Sequence, residues 1–312
     1  MRVRAYAPAS IGNVAAGFDL LGAALVPLDG SLLGDIVEVA PAEADRFTAV
    51  GPFAHRLPPR PEDNLVLKAR RVVEEALGRS PGPLEVTLHK NLPVSSGLGS
   101  SSASAVAAVK AFDAFAGSPL GAQALLMCAA KVEGHAAGAA HLDNVAPCLL
   151  GGLRLCLEQR TVALPWPEDL RFVVASPALE LETKVSRGVL PRELPMAGAV
   201  AFAGNLAGLV HALHAGDREL LGECLRDLVA EPHRARLIPG FRETQARAKA
   251  AGALGCSLSG AGPAVFAVAT VDDAPRVADA LSDGFAAVNV ASTVRVCRLD
   301  TRGARLLGEG ES

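Results

Sequence analysis

The sequence is poor in aromatic residues and carries almost no net charge. Phe, Trp and Tyr make up 4% of the 312 residues, and the formal net charge is −3. Nucleic-acid-binding proteins rely on clustered basic residues and on aromatic rings that stack on bases. We therefore expect no nucleic-acid partner, and the charge gives no general attraction to an anionic membrane.

Cysteine spacings that are typical of zinc sites are also missing. The six cysteines form no CxxC pair, and in a chain of this size they predict buried, reduced thiols of a cytosolic protein. The first ten residues, MRVRAYAPAS, alternate charged with apolar residues and contain no apolar core of a signal peptide. We expect a cytoplasmic location.

One long stretch lacks charge altogether. Residues 194–216, LPMAGAVAFAGNLAGLVHALHAG, contain no Asp, Glu, Lys or Arg, and Gly204 and Gly208 match GxxxG. Ala and Gly supply most of this run, and Pro195 and Asn205 are among the residues that interrupt it, so a membrane span is a poor interpretation. The segment predicts a buried helix of a soluble domain, and we expect no membrane partner.

The composition and length favour a two-domain globular protein. Half of the residues are apolar and 20% are charged, which is enough for a sizeable core. A Pro-rich stretch, ALPWPED, separates two regions, so we predict an N-terminal domain over residues 1–158 and a C-terminal domain over residues 159–312.

The periodicity predicts an α+β fold. The segments RVRAYAP and LEVTLHK alternate, which predicts strands that are buried on one side only, unlike the strands of a doubly wound parallel sheet. Helices are predicted at residues 63–77, 101–116 and 120–137, with three more within residues 197–251. Helices that back an antiparallel sheet are the expected arrangement.

The segment PVSSGLGSSSAS, residues 93–104, joins a predicted strand to a predicted helix. It matches neither a Walker A loop nor a GxSxG elbow. Glycines that allow a close backbone approach, followed by serines at a helix start, can form an anion site. Taken alone, however, the pattern favours an ordinary Ser/Gly loop with a capped helix.

Three further segments concentrate polar groups among small residues. In residues 8–25, Asn13 and Asp19 either meet around one ligand or act as turn residues that satisfy their own backbone. In residues 131–152, the spacing of Glu133 and His141 is not HExxH and argues against zinc. Residues 255–269 contain a second glycine turn, for which a tight hairpin or a bulge is the simple interpretation.

Together, these four segments resemble the superfamily of galactokinase, homoserine kinase, mevalonate kinase and phosphomevalonate kinase, the GHMP kinases. PVSSGLGSSSAS resembles the phosphate loop, and SLSGAGPAVFA resembles the C-terminal glycine motif. PASIGNVAAGFD and HLDNVAPCLLGG resemble the homoserine kinase branch. The resemblance implies a two-domain GHMP kinase fold with a left-handed β-α-β unit, a ferredoxin-like C-terminal domain and a homodimer. It also implies phosphorylation of L-homoserine by ATP in threonine biosynthesis.

The resemblance further implies which residues contact the nucleotide. Ser101 and Glu133 match magnesium ligands, although Ser102, where alanine is frequent, leaves open which serine binds Mg²⁺. The residues expected to surround the ATP phosphates are Pro93, Val94, Ser95, Ser96, Gly97, Leu98, Gly99, Ser100, Ser101, Ser102 and Ala103.

The implied acceptor is a zwitterion, which needs an acid for its ammonium group and cations for its carboxylate. Asp19 matches the former, and Arg187 and Arg234 match the latter, with Arg236 as an alternative to Arg234. The other expected substrate contacts are Asn13, His141 and Asn144.

For catalysis, the resemblance implies Ser101, Glu133 and Asn144, with Asn144 near the acceptor hydroxyl. Some members of the superfamily use an aspartate as a base, and the corresponding region here carries Asp143 and Asn144. We expect no dedicated base, because phosphoryl transfer can proceed by in-line positioning and charge neutralisation. Thr183 resembles a position near the γ-phosphate.

Three alternatives remain open. The chain can be another kinase of the superfamily that acts on mevalonate, a sugar or an isoprenoid precursor. It can also be a non-catalytic nucleotide-binding regulator, although such a protein is expected to have lost Glu133 or the serines. An RNA-binding module lacks basic patches to support it.

Overall fold

The computed structural model describes residues 2–137, 142–158, 160–308 and 311. Its strands are β1 Val3–Pro8, β2 Ser10–Gly12, β3 Leu21–Pro27, β4 Gly34–Pro41, β5 Arg46–Val50, β6 Leu84–His89, β7 Leu153–Cys156, β8 Thr161–Leu164, β9 Leu170–Pro177, β10 Gly255–Leu258, β11 Val265–Thr270, β12 Ser292–Leu299 and β13 Arg305–Leu306. Its α-helices are α1 Leu65–Leu77, α2 Ser100–Phe115, α3 Ala122–Ala137, α4 Leu142–Leu150, α5 Thr183–Gly188, α6 Met196–Ala215, α7 Arg218–Cys224, α8 Glu231–Arg234, α9 Phe241–Ala250 and α10 Ala274–Ala286.

The first sheet has the order β13-β1-β4-β6-β5 and carries the helices that build the site. Strands β5 and β6 pair in parallel, with α1 between them, so β5-α1-β6 is a β-α-β unit. The handedness of this unit stays a prediction. Helix α2 follows β6 directly, and most of its residues are buried, because it packs against α1, α3 and the sheet.

The predicted one-sided burial is correct for β6 and wrong for β1. In β6 the side chains of Leu84, Val86 and Leu88 are buried and alternate with more exposed ones. In β1 every residue except Arg4 is buried. The second face of β1 is covered at Tyr6, because the guanidinium of Arg305 lies 4.5 Å from the centre of its ring.

The second sheet, with the path β10-β11-β9-β12-β3-β7-β8, contains the ferredoxin-like unit. Its chain order is β9, helices, β10, β11, α10 and β12, and the neighbouring strands pair antiparallel. Strand β12 also pairs with β3, and β13 pairs with β1, so each end of the chain contributes to the other half. The α+β class is confirmed, and the division after residue 158 stays a prediction.

The predicted burial of the uncharged helix is wrong. Helix α6 covers this segment, but only 22% of its 18-residue apolar window is buried, and Met196 and Val200 are 79% and 64% exposed. Alanine and glycine make the segment apolar, but their side chains are small, so little free energy is gained by burying them. The helix contacts α7 along one side, where Asn205 donates hydrogen bonds to two backbone carbonyl groups. By length and composition α6 could cross a membrane, but one such helix is weak support for a membrane protein.

All six cysteines are unpaired and buried, as predicted. The helices predicted from residues 63, 101 and 120 begin at Leu65, Ser100 and Ala122. Four helices, α6 to α9, lie where three were predicted within residues 197–251, and the short α8 supplies a cation to the cavity described below.

Candidate functional site

The loop between β6 and α2 has a backbone shape that depends on its glycines. Gly97 and Gly99 have φ angles of 83° and 63°, in the left-handed region that side chains disfavour. A Cβ atom at Gly97 would lie 2.6 Å from the carbonyl oxygen of Ser259. Gly99 is the N-cap residue of the 16-residue helix α2, and no side chain of the described residues accepts a hydrogen bond from the first amides of this helix. These amides lie at the end of the loop and can donate to an anion.

The second glycine turn supports this loop from the C-terminal half. It connects β10 to β11 as an antiparallel hairpin, one of the two interpretations that the sequence left open. Ser259 donates its hydroxyl to the Gly97 carbonyl oxygen over 2.6 Å, and the Ala264 amide donates to the Ser96 carbonyl oxygen over 2.9 Å. The two glycine motifs therefore form one unit in which the hairpin holds the loop.

A buried ion pair fixes both ends of the loop and was not found by the sequence analysis. The ammonium of Lys90 donates to Asp35 Oδ2, to the Ser100 carbonyl oxygen over 2.9 Å and to Ser104 Oγ over 3.0 Å. The other oxygen of Asp35 accepts from the Leu92 amide over 3.0 Å. Lys90 follows Leu84, Val86 and Leu88 at the same two-residue spacing, so the alternation places it on the buried face. A lysine on a buried face indicates that a buried acidic partner is present.

A cavity of about 400 Å³ opens in front of this loop. Among the predicted ligand contacts, Pro93, Leu98 and Ala103 do not line it, and His141 lies outside the described residues. The predicted contacts that do line it are Asn13, Asp19, Val94, Ser95, Ser96, Gly97, Gly99, Ser100, Ser101, Ser102, Glu133, Asn144, Thr183, Arg187 and Arg234.

Ser101 and Glu133 meet at the helix end. Ser101 donates its hydroxyl to Glu133 Oε1 over 2.7 Å, while Glu133 Oε2 is buried without a hydrogen-bond partner. Burial raises the pKa of the Glu133 carboxyl, and the hydroxyls of Ser101 and Ser102 partly oppose that rise. A buried carboxylate oxygen without a partner, beside a hydroxyl, fits a hard cation such as Mg²⁺.

The described residues contain no cluster of three or more His, Cys, Asp or Glu side chains that could hold a metal ion. Mg²⁺ usually takes one or two protein ligands and completes its shell with water and substrate phosphates. Ser101 and Glu133, which meet at the helix end, are the residues that would hold such an ion.

The cavity is also lined by an ion pair between distant parts of the chain. Arg187, in α5, donates from Nη2 and Nη1 to the two carboxylate oxygens of Asp19 over 2.9 and 3.2 Å. The Asp19 amide donates to Asn13 Oδ1 over 3.0 Å. Asn13 and Asp19 have φ angles of 68° and 57°, a strained conformation for non-glycine residues that is typical of ligand sites.

Arg234 is a buried cation whose hydrogen bonds go to carbonyl groups. It is 2% exposed and donates to the Gly260 and Ser186 carbonyl oxygens over 2.9 and 3.2 Å. Burial lowers the pKa of its guanidinium, and the charge of Arg187 lowers it further. An anion in the cavity would relieve both effects. Arg236 is exposed and does not line the cavity, so the geometry favours Arg234 as the anion ligand.

Asp143 and Asn144 lie at the start of α4 and line the cavity. Ser10 donates its hydroxyl to Asn144 Oδ1 over 2.9 Å. Asp143 is 3% exposed, and burial together with the nearby Asp19 raises its pKa to about 7. Gly12 allows this close packing, because a Cβ there would lie 2.6 Å from both Asp143 Oδ2 and Asn144 Nδ2.

Sequence reasoning missed one wall of the cavity. This wall follows β5 and runs into α1, and it combines apolar side chains with charged ones and with Asn64, the N-cap residue of α1. Its apolar members are Leu57, Pro58 and Leu65, and its charged members are Arg56, Asp63 and Lys68. No motif marks these residues, because such a wall needs shape rather than a particular residue type.

The arrangement can bind a phosphorylated ligand and a zwitterion side by side. Helix-end amides, the Ser101–Glu133 pair and a carboxylate with two guanidinium groups line the same cavity. Asn144 lies close to the loop before α2 and to β2, because a Cβ atom at Gly99 would lie 3.0 Å from its Oδ1 and one at Gly12 would lie 2.6 Å from its Nδ2.

Comparisons with known proteins agree with this geometry. A family model described as "GHMP kinases N terminal domain" matches residues 64–152, and one described as "GHMP kinases C terminal" matches residues 209–287. The crystal structure of homoserine kinase from Cytophaga hutchinsonii is 37% identical, with a TM-score of 0.91, over 98% of this chain and 97% of that one.

Two further structures extend the comparison. A putative homoserine kinase from Listeria monocytogenes is 27% identical, with a TM-score of 0.71, over 98% of this chain and 100% of that one. The mevalonate kinase of Methanococcus jannaschii is 14% identical, with a TM-score of 0.70, over 96% and 98% of the two chains, and shows the shared fold alone.

Proposed function

We propose, because the chain belongs to the GHMP kinase family, that this small-molecule kinase transfers the γ-phosphoryl group of ATP to L-homoserine. The products would be O-phospho-L-homoserine and ADP, a step of threonine biosynthesis. The observation that carries the proposal is the set of Asp19, Arg187 and Arg234 beside the phosphate loop. The names of the two homoserine kinase structures support the same acceptor.

The ATP phosphates would lie on the loop between β6 and α2. The amides of residues 97–101 and the start of α2 would donate to phosphate oxygens, which a helix N-terminus favours electrostatically. Mg²⁺ held by Ser101 and Glu133 would neutralise charge on those oxygens. The missed wall from Arg56 to Lys68 would accept the nucleoside.

The two charged groups of homoserine would replace the ion pair between Asp19 and Arg187. Its ammonium group would bind Asp19, and its carboxylate would bind Arg187 together with Arg234. Each side chain keeps an oppositely charged neighbour during this exchange, so no buried charge is left uncompensated. The acceptor hydroxyl would then lie near Asn144.

An Asp143→Asn variant is expected to keep its turnover, because the transfer would rely on positioning and not on a base. Homoserine binding and turnover would be measured together. Abolished turnover with unchanged binding and fold would contradict this mechanism and identify Asp143 as the base.

The same variant makes a prediction about stability. The Asp143 pKa rises from 3.8 in the unfolded chain to about 7 in the folded protein, so the folded protein binds a proton more tightly between these values. Wild-type stability therefore falls as pH rises through this window, and Asp143→Asn avoids that loss. Urea unfolding at about pH 5 and about pH 8 should show the variant's relative stability increasing with pH.

An Arg234→Lys variant is expected to raise the KM for homoserine roughly tenfold to a hundredfold, with the KM for ATP little changed. The planar guanidinium can engage a carboxylate bidentately, and losing a charged hydrogen bond costs about 1.5–3 kcal/mol. Arg236→Lys is the matched control, since Arg236 is exposed outside the cavity. An unchanged homoserine KM, or an equal effect in the control, would reject the assignment.

The direct test of function is ADP release from Mg-ATP with L-homoserine, mevalonate, galactose or L-threonine at equal concentration. Turnover with homoserine alone is expected. Turnover with another acceptor would support the kinase activity but reject L-homoserine as the acceptor. Nucleotide binding without turnover on any of them would favour the non-catalytic regulator.

We also propose that the protein is a homodimer in the cytoplasm that binds neither nucleic acid nor membrane. The six buried, unpaired cysteines fit a reducing compartment. Sedimentation equilibrium would give the mass of the assembly, and a monomer mass at micromolar concentration would reject the dimer.

A further inference from the structure

A second cavity, of about 550 Å³, lies on the other side of the phosphate loop. Pro93 and Leu98, which the nucleotide cavity excludes, line this one. Val94 and Ser96 line both cavities, as does Arg56. The loop is therefore a wall shared by two cavities, and the second is not part of the site described above.

Three uncharged polar side chains that line this second cavity have no hydrogen-bond partner among the described residues. Asn91, Ser176 and Ser292 are each half-buried and line the cavity. Their side chains make no hydrogen bond with the described residues, although the backbones of Ser176 and Ser292 are paired in the β9–β12 ladder. Polar side chains that line one cavity without protein partners can fix the orientation of a ligand there.

The remaining walls define the chemistry of the ligand. Phe53, Val174 and Leu179 form an apolar surface between the two halves of the chain. Two cations also line the cavity, Arg295, which pairs with Asp29 over 3.1 Å, and Arg56.

Both arginines are held by weak partners. Arg56 pairs with Glu180, whose side chain is 57% exposed, and the Asp29 carboxylate is 60% exposed. Exposed ion pairs contribute little stability, so an incoming anion can replace the carboxylate at either arginine at small cost.

We infer that this cavity is a second ligand site, which binds a small organic anion with an apolar body. The apolar part would contact Phe53, Val174 and Leu179, and the anionic group would pair with Arg295. Because the ligand would touch Val94 and Ser96 from behind, its binding is coupled to that of the nucleotide through the loop. The inference goes beyond the proposed kinase activity and does not depend on which acceptor is phosphorylated.

The test uses 8-anilinonaphthalene-1-sulfonate, a fluorescent monoanion with an apolar body, as the probe on the full chain. One saturable site per chain is expected. Mg-ADP should change the probe's affinity severalfold without displacing it, because the two ligands share the loop but not the cavity. Competitive displacement by Mg-ADP would place the probe in the nucleotide cavity and overturn the inference.

Three variants locate the probe. Arg295→Gln is expected to weaken probe binding about tenfold, as for loss of a charged hydrogen bond. Ser176→Phe, on a strand that tolerates aromatic residues, should fill the cavity and abolish binding. Arg298→Gln is the matched control, because Arg298 lies on the same strand as Arg295, is exposed and does not line the cavity.

Nucleotide affinity and thermal unfolding are measured on each variant, so that a misfolded protein is recognised. Probe affinity that is unchanged in both Arg295→Gln and Ser176→Phe, or that falls equally in Arg298→Gln, would overturn the inference. Failure of the homoserine assay would leave these results intact, so the two proposals fail independently.

Discussion

A Lys90→Met variant is expected to lose about 3–5 kcal/mol of unfolding free energy, because it breaks a buried ion pair and leaves one charge uncompensated. The Asp35 side chain is fully buried and the Lys90 side chain is 3% exposed. Methionine fills a similar volume, but it cannot donate to Asp35, to the Ser100 carbonyl group or to Ser104. Nucleotide affinity should fall as well, since these contacts fix the loop.

Urea unfolding measures the loss, with Lys110→Met as the matched control. Lys110 lies on α2, is half-buried and has no salt bridge or side-chain hydrogen bond with the described residues. Its replacement is expected to stay within about 0.5 kcal/mol of the wild type, as for most surface changes. If Lys90→Met cost no more than this control, the ion pair would not be the element that secures the loop.

A double variant separates the cost of the uncompensated Asp35 charge from the contribution of the other hydrogen bonds that Asp35 accepts. Lys90→Met with Asp35→Leu removes both charges, so it should recover part of the stability that Lys90→Met loses. The recovery is expected to be incomplete, because Asp35 also accepts hydrogen bonds from the amides of Asn91 and Leu92. A double variant less stable than Lys90→Met would show that these amide contacts outweigh the ion pair.

Much of the fold could be predicted from the sequence, because local patterns carry it. The alternation of apolar residues in β6 correctly predicted which of its faces is buried, and the glycines of the loop predicted the turn before α2. Burial that depends on other parts of the chain could not be read this way. Arg305 covers Tyr6 from the far end of the sequence, and α6 is exposed although its composition resembles that of a core helix.

The candidate site likewise contains residues that a local motif identifies and residues that only the fold brings together. The loop serines and glycines form a contiguous motif, so they were identified together, and most of them line the cavity. Asp19 and Arg187 are 168 positions apart, and nothing in the sequence indicates that they pair with each other. The wall from Arg56 to Lys68 and the Lys90–Asp35 pair were missed, although the parity of Lys90 in β6 contained the necessary signal.

A Glu133→Gln variant is expected to lower kcat about 10²–10³-fold, as for the loss of one preorganised electrostatic group. The amide keeps the shape of the side chain and can still accept from Ser101, but it removes the negative charge that favours a divalent cation. The activity that remains should require more Mg²⁺. Initial rates at increasing Mg²⁺, with ATP and acceptor fixed, measure both effects.

The unliganded Glu133→Gln protein is expected to be at least as stable as the wild type. Burial raises the pKa of Glu133, so ionisation of this carboxyl costs the folded state stability as pH rises above the unfolded value of 4.5. Oε2 of Glu133 gains no hydrogen bond in return, and glutamine removes the charge. Unfolding in EDTA at about pH 8 is the measurement. Lower stability would show that Glu133 has a structural role, whereas lower activity with equal or higher stability would show that it is retained for the metal.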